Sequence, residues 1–273
     1  MQKFKGLVAV LFAGVVGLTS AAWSQTPAKG ATSDKKEVTI GILSREAPEL
    51  KYVATELAKQ GYKMNVKVIG DNIAMNNATA DGSLDANFFQ NQKYLDSQET
   101  QTHLGLKSYG PWLETTATIL VSSKYPTLSA LGNGAKVGIS EDAANMARGL
   151  QLLAANGVIT LKAGVALPAF NSIESNPKNL KFVATNPRSL AGMFPDLDAM
   201  LATSISVYLM NDPSIKTLAE ETPEVYRNYG GVLWVVRGDA GKLPWLDATI
   251  KIMASDQWKS WVKDHYKGLK KTP

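Results

Sequence analysis

The stretch from Val38 to Val68 does most to set the fold class. Val38-Thr39-Ile40-Gly41-Ile42-Leu43 is a β-rich apolar run of the kind that forms a buried strand. Leu50, Val53, Ala54, Leu57 and Ala58 then fall at helical spacing on one face, and Gly61 stands where such a helix stops. Met64, Val66 and Val68 alternate with Asn65 and Lys67 as a second strand would. A strand, a helix and a strand at this spacing make a crossover unit with parallel strands. The grammar recurs downstream. Residues 115–122, 136–140, 180–183 and 231–237 read as strands, 144–156 as a helix closed by Gly157, and 246–254 and 256–266 as terminal helices. No internal repeat or low-complexity tract interrupts them. The expected class is α/β in two lobes, with one doubly wound domain as the alternative.

The N-terminus reads as an export signal. Lys3 and Lys5 precede an uncharged apolar run from Gly6 to Leu18, and Ala22-Trp23-Ser24 has the small-x-small form of a cleavage site before Gln25. The run is shorter than the roughly 20 residues a transmembrane helix needs. Residues 1–24 are therefore expected as a signal peptide, an uncleaved anchor being the alternative, and 25–36 as a flexible tether rich in Pro, Gly, Ser and Lys. The 273-residue chain carries a net charge of +5, and cleavage would remove two lysines and no acid. So mild a basic excess implies no nucleic-acid partner. With no cysteine anywhere, disulfides, thiolate metal sites and a cysteine nucleophile are excluded, and no lipid can be attached near the cleavage site. The expectation is a soluble protein working outside the cytoplasm. His103 and His265 are the only histidines, too few for a His-rich metal cage and badly placed for a catalytic triad. No phosphate loop, nucleophile elbow or metalloprotease motif occurs. That moves weight from catalysis towards binding; no cofactor and no metal are expected.

Two constellations remain. Asp85-Ala86-Asn87-Phe88-Phe89-Gln90-Asn91 brings two aromatics and several amides to a strand-to-helix junction, where open α/β sheets hold ligands. Strand alternation sends one phenylalanine to the core and the other to the cleft; Phe89 is expected in the cleft. Downstream, the strand 136–140 leads into a helix carrying Asn145 and Arg148 on one face. Read as lying in the first helical turn, Arg148 opposes the helix dipole and needs an anion to answer it. Glu141 or Asp142 could supply it internally; a ligand carboxylate could supply it from outside.

These residues resemble the NlpA/MetQ-like lipoproteins, the methionine-binding proteins of bacterial ABC importers. The resemblance rests on Val38–Leu43, Asp81-Gly82-Ser83-Leu84-Asp85-Ala86-Asn87-x-Phe89-Gln90 with Tyr94-Leu95, Asn145-x-x-Arg148, Asn176-Pro177-Lys178-Asn179-Leu180-Lys181-Phe182 and Val235-Val236-Arg237, and covers roughly 37 to 268. It implies a periplasmic binding protein fold of two lobes, two crossovers and a ligand cleft between them. The first lobe would be 37–121 plus 233–273, the second 122–232, with crossovers near 119–124 and 229–233. It also implies a non-catalytic receptor that hands a small molecule to a membrane permease; a monomer working in the periplasm is expected. Residues carried over as ligand-binding are Arg148, Asn145, Phe89, Asn91, Tyr94, Asn72, Glu114 and Thr203. Several family positions are changed: Asn91 stands for His, Lys93 for Pro, Asn72 for a cleft Tyr, Thr203-Ser204-Ile205 for an Asn-Gly-Asn run, and the Asn before the return strand falls near Val232. The carboxylate end of the site looks intact and the amino end altered, so the expected ligand is methionine or another small organic anion. The missing lipid-attachment cysteine suggests a freely diffusing receptor. The alternatives are a receptor that has lost its ligand and a periplasmic enzyme built on Glu141, Asp142 and Glu114.

Overall fold

The computed structural model describes residues 35–273, apart from the side chains of Arg188 and Asn228; the expected signal peptide and most of the expected tether lie outside the described residues. In the first lobe β1 (Glu37–Ile42) pairs in parallel with both β2 (Lys63–Val68) and β3 (Ala86–Gln90). The crossovers are α1 (Ala47–Ala58) and α2 (Asn72–Ala80), and α3 (Gln92–Thr102) then leads to the long strand β4 (Leu106–Thr116). The chain next enters a second sheet with β5 (Thr118–Ser122), β6 (Lys136–Ser140), α4 (Ala143–Ala155), a small hairpin of β7 (Thr160–Leu161) and β8 (Ile173–Ser175), β9 (Lys181–Thr185), α5 (Pro187–Met193), β10 (Ala199–Thr203), α6 (Ser204–Met210) and β11 (Lys216–Glu220). α7 (Pro223–Tyr229) carries it back to β12 (Val232–Arg237), followed by α8 (Pro244–Met253), α9 (Asp256–His265) and β13 (Lys270–Lys271). The sheet orders are β13-β4-β12-β3-β1-β2 and β11-β5-β10-β6-β9.

Each sheet is held by the alternation its sequence carries. Val38, Ile40 and Ile42 are wholly buried against Leu50, Val53 and Leu57 of α1 and against Trp245, Leu246, Trp258 and Val262 of the terminal helices. Phe88 packs on Trp234 with ring centroids 4.8 Å apart. Each such side chain contributes about 1.5–3 kcal/mol by leaving water. In the second sheet Val137 and Ile139 face Leu150 and Leu153 of α4, while Ile119, Val121 and Met200 face Leu190 and Phe194 on the other side.

The first passage between sheets differs from expectation. Residues 115–122 are not one strand: β4 ends at Thr116, β5 begins at Thr118, and Ala117 is the turning point. Backbone groups there change partners, the Ala117 carbonyl accepting from Ser204 N–H at 2.9 Å and Thr118 N–H donating to Glu221 Oε2 at 2.7 Å. Residues 119–122 thus lie inside β5, and the return passage runs through α7 rather than only 229–233. Beside that passage Gly231 lies so close to β4 that a methyl group would overlap the Glu114 carbonyl and come within 2.7 Å of the Trp112 ring. Gly231→Ala must push β12 off β4. A loss of about 3 kcal/mol, the upper end of the overpacking range, is expected in urea unfolding; unchanged stability would mean the strands separate freely.

Candidate functional site

A cleft of about 360 Å³ lies between the two sheets. The first lobe lines it with Leu43, Ser44, Arg45, Asn72, Phe89, Gln90, Asn91 and Tyr94, the second with Ser140, Asn145, Arg148, Leu190, Leu201, Thr203, Ser206 and Leu209; Thr116, Thr118 and Gly230 to Val232 come from the passages. Helices α2, α3, α4, α5 and α6 all begin at this cleft, because it lies at the carboxyl ends of the strands that precede them.

The starts of these helices explain several of the candidate residues. Asn91 caps α3, its Oδ1 accepting from Tyr94 N–H at 2.9 Å. Thr203 caps α6, its hydroxyl 2.7 Å from Ser206 Oγ. Asp142 caps α4, accepting Asn145 N–H at 2.9 Å and both Asn145 Nδ2–H and Ser140 Oγ–H. Asn72, the first residue of α2, lines the cleft, and that helix is capped by Asp71. Phe88 is in the core, while Phe89 lines the cleft with its ring edge-on to Tyr94 at 6.0 Å. Beneath the floor Asn76, Thr79, Asn87 and Gln90 form a buried amide network, with Gln90 Nε2 donating to Asn76 Oδ1 (2.7 Å) and Asn87 Oδ1 (2.9 Å). Fully paired, such a network fixes Gln90 in place.

Two candidate residues are placed differently from expectation. Glu114 does not line the cleft. Along β4 successive side chains alternate, so Thr115 lines the cleft and Glu114 points away from it into the first lobe, 2% exposed. There it accepts from Lys270 Nζ at 2.8 Å, and Lys270 also pairs with Glu49, which accepts from the Tyr266 hydroxyl. Glu46 and Arg45 complete the group at 2.5 Å. Burial, with the Glu49 charge alongside, pushes the Glu114 carboxyl up to about 8. Arg148, the other, lines the cleft and already has an internal anion beside it. Its Nε donates to Glu221 Oε1 (2.7 Å) and Oε2 (2.9 Å), and its Nη2 donates to Glu221 Oε2 (2.6 Å) and to the Thr116 carbonyl (2.8 Å). The internal partner is neither Glu141 nor Asp142. Since α4 starts at Ala143, Arg148 sits in its second turn, beyond the reach of the dipole argument.

Sequence reasoning missed Glu221, Arg45, Ser206 and Asn186, the last of which lines the cleft just before α5. Glu221 follows β11, 73 residues from Arg148, and no local pattern joins them. Tyr229 closes the wall behind the pair. Its hydroxyl donates to Gln151 at 2.8 Å, and Lys93 lies 3.8 Å over its ring. Among the described residues no cluster of metal-ligating side chains occurs, and no helix is long and apolar enough to cross a membrane.

The profile of the NlpA lipoprotein family matches residues 38–272. The chain belongs to the NlpA lipoprotein family. The methionine-binding lipoprotein MetQ of Bacillus subtilis strain 168 is 27% identical, the match covering 98% of this chain and 97% of that one. Among solved structures, a nutrient binding protein from Burkholderia cenocepacia bound to methionine is similar at a TM-score of 0.78 and 29% identity, over 86% of this chain and 99% of that one. An ABC transporter periplasmic substrate-binding protein from Coxiella burnetii is similar at 0.79 and 27%, over 86% and 100%. These three relatives are binding proteins by name, and the solved ones share the two-lobed α/β fold. The family name corrects the expected localisation: the relatives are lipoproteins, which overturns the reading of a lipid-free, freely diffusing receptor.

Proposed function

We propose that this chain is the substrate-binding receptor of an ABC importer, closing its lobes on one small organic solute for delivery to a membrane permease. The observation that carries this is the cleft itself. Both lobes line it, its volume lies at the small end of the range for small-molecule sites, and it combines an apolar wall (Leu43, Phe89, Leu190, Leu209) with amides and hydroxyls. A solute touched from both sides binds the closed form better and shifts the lobes towards it. Methionine, bound in the Burkholderia neighbour, is the first ligand to test. The carboxylates invoked for an enzyme lend that alternative no support: Asp142 caps a helix and Glu114 points away from the cleft.

Native mass spectrometry of freshly purified protein, followed by thermal-shift screening with L-methionine, D-methionine and a panel of small solutes, tests the proposal. A bound solute, or stabilisation of about 2.7 kcal/mol at a hundred times its dissociation constant, is expected. A protein that carries no solute and responds to none would overturn it. Asn91, Asn145, Phe89, Tyr94, Asn72 and Thr203 are the residues we assign to the ligand's surroundings.

A further inference from the structure

Besides Arg148 the cleft has a second guanidinium, and it comes from the opposite lobe. Among the described residues that line the cleft, Arg45 and Arg148 are the only ones with charged side chains, one from each side. Arg45 stands in the turn between β1 and α1, at the carboxyl end of an inner strand of its sheet. Its Nε donates to Glu46 Oε1 at 2.5 Å and its Nη2 to the Phe89 carbonyl at 3.4 Å, so one edge of the guanidinium is clamped. The clamp is firm because the Glu46 side chain is 1% exposed. Nη1 has no partner among the described residues, is not sealed in by protein, and belongs to a side chain with 27% of its surface open. Closing the lobes on a solute strips water from that edge, and a charged donor left without an acceptor is costly. The solute must therefore bring the acceptor. What kind of acceptor follows from the groups behind Arg45. Among the described residues, Glu46, Glu49 and Glu114 face Arg45 and Lys270 there, so the guanidinium charge is already answered from inside. A carboxylate placed on Arg45 would enter beside an acidic group, whereas a carbonyl or hydroxyl takes the same hydrogens without that repulsion. We infer that Arg45 is a second ligand anchor, and that the preferred solute is a small carboxylate whose other end, held by the first lobe, carries an uncharged carbonyl, amide or hydroxyl. The inference rests on the receptor reading above and names the ligand class of that same cleft. The carboxylate goes to the second lobe, where the contacts of Arg148 with Glu221 and Thr116 use Nε and Nη2 and leave Nη1 to the solute.

Calorimetric titration with L-glutamine, L-glutamate and L-methionine tests this, since the three share a carboxylate end and differ at the other: an amide carbonyl, a carboxylate and a thioether. The wild type should bind glutamine at least tenfold more tightly than methionine, and more tightly than glutamate. In R45M/E46Q, which removes the guanidinium without orphaning the Glu46 charge, the preference for glutamine over methionine should fall below threefold. Urea unfolding checks that this protein is folded. Should it not be, Arg45→Lys, which keeps a charge beside Glu46 and removes the planar outer edge, should show the same loss; if neither variant folds, the wild-type order decides alone. A wild-type preference over methionine of less than tenfold, glutamate binding as tightly as glutamine or better, or a preference that stays above threefold without the guanidinium each overturns the inference. If none of the three binds, the solute found in the screen above takes their place. It upholds the inference if it carries both groups and loses at least tenfold in affinity in R45M/E46Q, and overturns it otherwise. That failure would leave the receptor reading standing, whereas the absence of any bound solute would sink the receptor reading and this inference with it.

Discussion

Arg148→Ala should lower the stability of the ligand-free protein by about 3–5 kcal/mol, the loss typical of removing one member of a buried ion pair. The Glu221 carboxylate, its side chain 1% exposed, would keep the Thr118 N–H and lose every contact with the guanidinium. The Thr116 carbonyl would lose its bond as well. Since Thr116 and Thr118 belong to the first passage between lobes and Glu221 to the second, the damage falls where both passages are tied together. Replacing the pair together, as R148M/E221M, should recover most of the loss, because two apolar side chains of similar volume leave no charge unanswered. Thermal and urea unfolding of the three proteins checks this. An Arg148→Ala protein as stable as the wild type would show that the pair holds nothing.

The second large effect is a fall in stability with rising pH, and its origin is Glu114. Three carboxyls (Glu46, Glu49 and Glu114) face two cations (Arg45 and Lys270) in this buried group, so one added proton balances the charge. Burial, reinforced by Glu49, keeps that proton on Glu114 up to about pH 8. Burial raises Glu46 in the same direction. In the unfolded chain Glu114 releases its proton near the ordinary value of 4.5. Between those values unfolding releases a proton, so the contribution is fully present below pH 4.5 and lost as the pH rises to about 8. The loss across that window should be roughly 3–5 kcal/mol, because holding one proton through each pH step of that window is worth about 1.36 kcal/mol. Glu114→Gln copies the protonated form and can still accept from Lys270, so it should flatten the curve and equal or exceed wild-type stability at pH 8. Denaturant unfolding at several pH values between 5 and 8 reads the slope. Equal slopes for the two proteins would place the proton elsewhere.

What could be read in advance was local. β1, α1 and β2 stood out because apolar spacing of two and of nearly four residues follows directly from strand and helix geometry. The same alternation separated Phe88 from Phe89. β4 was legible only at its end, because Gly110 and Pro111 break its pattern. The structure absorbs them in a register shift, with Trp234 opposite Tyr109 and Val232 opposite Glu114. Glu114 was carried over by resemblance, and the face it takes is set by the extent of β4, which a strand read as 115–122 did not include. Asn91 and Asn145 were recognisable as polar residues near helix starts, whereas Thr203 came from the resemblance alone. Whether such a side chain serves its own backbone or a ligand is not written in spacing. The partner of Arg148 was least accessible of all, because only the return of the chain after β11 brings Glu221 beside it.

The position of β12 governs the order in which the chain can complete itself. It lies between β3 and β4, so neither strand can acquire its neighbour there until residues 232–237 exist. Every strand of the five-stranded sheet, by contrast, comes from the continuous stretch between Thr118 and Glu220. During synthesis the intervening lobe therefore has its full set of strands while the first lobe still lacks its keystone. Until then β4 presents an unpaired edge, the kind of surface that invites association between chains. A chain truncated before Val232 keeps one lobe assembled and leaves the other open along its middle.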